Sequence, residues 1–177
     1  RNDNTRNSLA MRSNLEFYDI LKTYPNNKLT FQTKYYRNES HGSIPLIATY
    51  DALHFIFDFY NFPLDKSDYA DTTMSLGYRI SDHYKIISEK MGYTINPSES
   101  WINTLGYNAM YMNNLTLAEY FFQMNVTNYP KSFNAYDSFG DYYVSINNRK
   151  QAIIMYTKAL AISENMETRK KLESITK

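Results

Sequence analysis

The sequence predicts a mainly α protein, in which helical-hairpin repeats are preceded by a small strand-plus-helix segment. Three observations carry this. Apolar residues recur at helical spacing along most of the 177 residues. A set of large, glycine, asparagine and alanine positions between 105 and 156 recurs at an offset of 34 residues. One segment, 28–36, alternates with period 2 instead, which is the spacing of a strand with one polar face.

The first helix is expected over Asn7 to Thr23, with Leu9, Phe17, Ile20 and Leu21 turned inward and Tyr24-Pro25-Asn26-Asn27 as its break. Lys28 to Tyr36 then places Leu29, Phe31, Thr33 and Tyr35 on one side of a strand and Lys28, Thr30, Gln32 and Lys34 on the other. A lone strand leaves its backbone groups unpaired, so it calls for a partner from elsewhere or from a second copy. A helix from Pro45 to Tyr60 follows, with Ser43 as its cap and Leu46, Tyr50, Leu53, Phe57 and Tyr60 on one face. A long helix from Lys66 to Met91 is read from Tyr69, Thr73, Leu76, Ile80, Tyr84, Ile87 and Met91, with Gly92 stopping it.

Asn96-Pro97-Ser98-Glu99 reads as the next helix start, with Asn96 as cap and Glu99 returning a hydrogen bond. Beyond it, Leu105-Gly106 recurs as Phe139-Gly140, Asn113-Asn114 as Asn147-Asn148, Ala118 as Ala152 and Phe122 as Tyr156. Glycine and alanine let paired helices approach closely, and asparagine tolerates the left-handed backbone of a tight turn. This period and pattern resemble the tetratricopeptide repeat. Pro130 closes the first repeat where that pattern expects it, whereas Glu164 occupies the matching place in the second. Trp101 stands one position before the pattern's usual aromatic. Met166 to Thr176 is expected to cap the array, with Leu172 and Ile175 packing back.

Residues 35–45 read Tyr-Tyr-Arg-Asn-Glu-Ser-His-Gly-Ser-Ile-Pro, a polar loop between the expected strand and a proline-started helix. Such loops are where α/β enzymes keep reacting side chains. The segment resembles the histidine-bearing end of an α/β-hydrolase of the bacterial esterase type, in which the nucleophile and acid lie earlier in the chain. That resemblance covers residues 1–62 and implies a serine carboxylic-ester hydrolase with His41 as general base and then general acid. Asp3, ahead of the first helix, is the candidate acid, or the acid lies before Arg1. Asp19 reads as solvated, and Glu39 as structural or substrate-facing. No Gly-x-Ser-x-Gly occurs in the sequence, so the chain alone is expected to be inactive. The start at Arg1-Asn2-Asp3, with neither an initiator Met nor a signal pattern, reads as an internal cut in a longer protein.

The chain thus divides into the hydrolase end (1–62), a bridging helix and linker (63–95) and the repeats (96–177). A net charge of +1 with 21% charged residues offers no field for nucleic acid. Hydrophobic residues at 43%, with 18 Tyr and 10 Phe, supply a packed core. No run reaches the roughly 18 apolar residues that span a bilayer. Cysteine is absent, which excludes disulfides and thiolate chemistry. His54 reads as a packed or rim histidine and His83 as a surface one, with no ligand spacing for a metal and no implied cofactor. The expected partners are an ester substrate for the longer parent, and a protein or peptide, or a second copy, at the repeats and the lone strand. The rival reading is a non-enzymatic helical-repeat interaction module.

Overall fold

The computed structural model describes residues 9–24, 26, 28–37, 39–40, 42–70 and 73–176. Among them run nine α-helices: α1 (Leu9–Thr23), α2 (Ile44–Ile56), α3 (Lys66–Ala70), α4 (Ser75–Met91), α5 (Glu99–Tyr111), α6 (Leu115–Asn128), α7 (Phe133–Ser145), α8 (Arg149–Ile162) and α9 (Met166–Thr176). The chain splits into two compact units, Arg1–Asp58 and Phe59–Lys177.

The first unit holds α1, α2 and the chain between them. The expected strand over Lys28 to Tyr36 is not formed, and no described residue belongs to a strand. Period-2 alternation sets only which face a side chain takes; a ladder also needs a neighbouring backbone to bond. Here side chains tie the segment down instead. Phe31 meets Tyr18 of α1 edge to face at 5.7 Å. An Asx turn starts the segment, with Asn26 Oδ1 accepting from the Lys28 N–H at 2.9 Å. The expected inward face of α1 is open, since Phe17 and Ile20 are 62% and 55% exposed. The apolar helix α2 buries no residue at all.

The second unit carries the core. Its expected single helix from Lys66 is two, α3 and α4. Asp65 and Asp68 form a reciprocal cap on α3: Asp65 Oδ1 accepts from the Asp68 N–H and Asp68 Oδ2 from the Asp65 N–H. Ahead of α4, Thr73 Oγ1 accepts from the Ser75 N–H at 3.1 Å, a local bond that competes with helical pairing. Arg79 of α4 pairs with the buried Asp68 and its guanidinium lies over the Phe62 ring, which fastens residues 62–68 to α4. Leu76, Ile80 and Ile87 are buried as the spacing predicts, and Gly92 ends α4 at φ 76° with its N–H bonded to the Ser88 carbonyl.

Two hairpins follow, α5–α6 and α7–α8, each hinged on a left-handed asparagine: Asn113 and Asn147 both have φ 58°. Asn114 and Asn148 then cap α6 and α8, accepting from the N–H groups of Leu117 and Gln151. The first helices of the pairs are capped by Ser98 and Ser132, again 34 residues apart. Asn96 is therefore not the cap of α5. Glu99 does not turn back to Asn96 either; its Oε1 accepts from Ser132 Oγ at 2.7 Å and Asn134 Nδ2 at 3.1 Å, joining one hairpin to the next.

Within each hairpin a glycine faces a ring. A Cβ on Gly106 would stand 2.8 Å from the Phe122 ring, and one on Gly140 would meet Tyr156 more closely still. Ala118, Ala135 and Ala152 are fully buried beside them, with Ile102, Leu105, Phe121 and Phe139. α9 begins at the expected Met166, capped by Asn165 Oδ1, and packs on α8 with Leu172 and Ile175 half-buried.

Gly106→Ala should lower the urea midpoint of the second unit, at a cost of about 1–3 kcal/mol for overpacking a filled core. Gly42→Ala, whose Cβ would meet nothing nearer than Ser40 Oγ at 3.8 Å, should leave it unchanged. Equal midpoints for the two variants would show that the hairpins have slack at Gly106.

Candidate functional site

His41 and Asp3, the catalytic residues expected from sequence, lie outside the described residues. What the structure does describe is the chain on either side of position 41. Asp51, in the middle of α2, accepts from the Tyr36 hydroxyl at 2.6 Å through Oδ2. The same oxygen lies 2.5 Å from Lys34 Nζ. The bond to Lys34, then that to Tyr36, holds the Asp51 carboxyl below the usual carboxylate range. In return, the bond to Asp51 pushes the Tyr36 phenol up to about 12.

Ser43 sits at the N-cap of α2, but its hydroxyl does not cap the helix as expected. It accepts from the Ser40 N–H at 3.0 Å, and the Ser43 and Ile44 N–H groups both donate to the Ser40 carbonyl. Ser40 is thereby bonded to Ser43 and Ile44, while Pro45 occupies the first turn of α2 as expected. Glu39 and Asp19 are exposed. His54 is an exposed rim residue with its ring 4.5 Å from Tyr50. His83 is not a plain surface histidine: it is half-buried against Phe62 at 4.9 Å, with Nε2 3.4 Å from the Tyr60 carbonyl oxygen.

A second polar cluster lies in the repeats, outside every motif of the sequence. Asp141 on α7 accepts from the Tyr107 hydroxyl of α5 and the Tyr156 hydroxyl of α8, each at 2.7 Å. Lys171 of α9 places Nζ 2.8 Å from Asp141 and 2.7 Å from Asp137, whose other oxygen accepts from Thr168 at 2.7 Å. The signal was present: Tyr107 and Asp141, and again Asp137 and Lys171, are 34 residues apart. Equivalent positions of successive repeats stand side by side, so a tyrosine facing an aspartate and an aspartate facing a lysine pair across the array.

Burial, then the Asp141 carboxylate, raises the Tyr156 phenol well above its ordinary value; burial also raises Tyr107, with Asp141 adding to it and a Ser138 bond opposing. Burial alone would lower Lys171, but the bonds to Asp137 and Asp141 outweigh it and its pKa is raised. Every group in this cluster has its charge or hydroxyl answered by another. Its chemistry is that of a latch for α9 and not of a reacting centre.

An open hollow of about 710 Å³ beside the α6–α7 connection is lined by Glu99, Tyr129, Pro130, Phe133 and Ile162, among others. Its titratable side chains are Lys131, Glu99, which accepts from Ser132 and Asn134, and Tyr129, which donates to the Pro97 carbonyl. Among the described residues no three His, Asp or Glu gather as metal ligands, and no helix is long and apolar enough to cross a membrane. Comparison of the chain with protein-family models, curated proteins and solved structures found no match.

The latch makes a pH prediction. A raised tyrosine or lysine keeps its proton in the folded state after the unfolded chain has lost it, so stability falls as pH rises. The second unit should therefore lose stability from about the ordinary tyrosine value of 10.0 upward. Asp141→Asn should bring the titration of Tyr107 and Tyr156 down toward that value, read as tyrosinate absorbance. An unshifted titration would mean that burial alone sets both phenols.

Proposed function

We propose that this chain is the C-terminal part of a serine esterase of the α/β-hydrolase type, carrying the catalytic histidine and a tetratricopeptide-like extension. The observation that carries the reading is the state of α2. It follows directly on the Asn-Glu-Ser-His-Gly-Ser-Ile-Pro run, it is mostly apolar, and it buries nothing: Leu46, Leu53 and Ile56 are 79%, 51% and 56% exposed. A helix of that composition belongs against a sheet. In an α/β-hydrolase the helix after the histidine loop packs in that way, which supports reading residues 1–58 as one edge of a larger layered domain.

In the parent, His41 takes the proton of the nucleophilic serine as it attacks the ester carbonyl. It then delivers that proton to the departing alcohol, leaving an acyl-serine. In the second half His41 takes a proton from water, and the acid is released as the serine is reprotonated. Asp3 or a residue before it orients the imidazole. The repeats pack as an extension, because the polar groups on their facing helices are spent on one another and on α9. The rival module reading draws on the same repeat core, whose buried cluster runs from Leu76 to Tyr142.

The test is hydrolysis of a p-nitrophenyl ester. The full-length parent should cleave it, the present chain should not, and His41→Ala in the parent should lower kcat on the order of a thousandfold or more at unchanged melting temperature. Full activity of His41→Ala, or hydrolysis by the present chain, would contradict the mechanism.

A further inference from the structure

A cleft between α4, the connection 94–97 and α6 differs from the latch on α9 in that its polar groups are unspent. Its volume is about 310 Å³, at the small end of the range in which proteins hold small molecules, roughly 300–1,000 Å³. Its walls are pinned to one another. Ser88 Oγ of α4 accepts from the Ile95 N–H at 2.8 Å and donates to the Tyr84 carbonyl at 2.7 Å. The hydroxyls of Ser81 on α4 and Tyr120 on α6 bond at 2.7 Å, and the Tyr129 hydroxyl, just after α6, donates to the Pro97 carbonyl at 2.7 Å. The cleft is therefore formed in the free chain, and a ligand need not order it.

Against those walls stand groups with nothing to bond. Among the described residues Lys85 has no ion pair, and the side chains of Thr94, Asn96 and Asn128 and the Tyr84 hydroxyl form no hydrogen bond. The lining carries one cation and no carboxylate. Asp82 and Glu89, which flank Lys85 along α4, are exposed and do not line it. Burial, then the nearby phenols of Tyr60 and Tyr129, raises the Tyr84 phenol, so it remains a donor. The rest of the surface is apolar, from Ile95, Pro97, Met124 and the Tyr84 ring.

We propose that this cleft binds a small organic acid, with the carboxylate on Lys85 and the neutral donors beside it, and a hydrocarbon body against Ile95, Pro97 and Met124. The charge count sets the class. One ammonium among amide and hydroxyl donors answers a single negative charge, whereas a phosphate dianion calls for more cationic donors. A cationic ligand finds no carboxylate in the lining, and a neutral one leaves the ammonium unanswered. The apolar half sets the other requirement, a body that gains by leaving water. The site lies wholly in the second unit and is independent of the esterase reading.

The test is a titration of the present chain with sodium benzoate at constant ionic strength, followed through amide chemical shifts. Ile95, Asn96 and Asn128 should shift and saturate with a Kd on the order of millimolar, the range for a ligand of so few atoms. Benzamide has the same body without the charge, and inorganic phosphate has charge without the body; each should bind about tenfold more weakly or worse. Lys85→Gln should weaken benzoate about tenfold and Lys85→Arg should restore most of it, both at unchanged melting temperature because Lys85 is exposed and unpaired. Equal benzoate affinity in Lys85→Gln and wild type would overturn the site, as would shifts that stay linear into tens of millimolar. Benzamide or phosphate binding as tightly as benzoate would overturn the organic-acid class.

Discussion

The close approach of a glycine to an aromatic ring within each hairpin is the constraint on which the second unit depends. Gly106 faces Phe122 and Gly140 faces Tyr156 with no room for a methyl group. That contact sets how near the two helices lie, and hence which residues meet across hairpins. Phe122 can stack on Phe139 at 6.2 Å, and Tyr156 can reach Asp141, only because their helices are this near. The left-handed asparagines at 113 and 147 complete the hairpin by reversing the chain without strain on a branched side chain.

From that spacing the polar contacts follow. Repetition at 34 residues puts Tyr107 beside Asp141 and Asp137 beside Lys171, and the last helix is latched through the same row as the hairpins before it. Asp137 and Asp141 would repel one another unaided; Lys171 sits between them, and Thr168 and two phenols also donate to their oxygens. A cluster so fully answered contributes order more than affinity for an outside ligand. The repeats are thereby closed at their C-terminal side by α9.

The repeat hairpins, their turns and α9 were legible in the sequence because each rests on local chemistry: glycine for approach, asparagine for a left-handed turn, alanine for a tight crossing. Elements that depend on a distant partner were not. The alternation over 28–36 is real, yet its backbone has no ladder, because alternation does not supply the neighbouring strand. Helix faces were read correctly for α4, whose Leu76, Ile80 and Ile87 are buried. The same reasoning put Phe17 and Ile20 of α1 inside, where they are exposed, since spacing names a face but not what covers it. Small polar residues misled in another way. Ser43 prefers its own turn to the helix it precedes, and Glu99 reaches across to the next hairpin; in both cases several acceptors compete and the sequence ranks none of them. Of the candidate site itself, the helix after position 41 was legible, while the strand expected before it is not formed and the contacts of Asp51 with Lys34 and Tyr36 had no signal in the sequence.

The two units differ in what they need: one buries its own apolar faces, the other leaves α1 and α2 open. Hydrogen exchange followed helix by helix along the chain tests this most directly. Amides of α5 to α8 should exchange orders of magnitude more slowly than those of α2, which has no buried residue to hold it. Protection of α2 equal to that of α7 would mean that its apolar surface is covered within this chain, and would contradict the open apolar face described for α2.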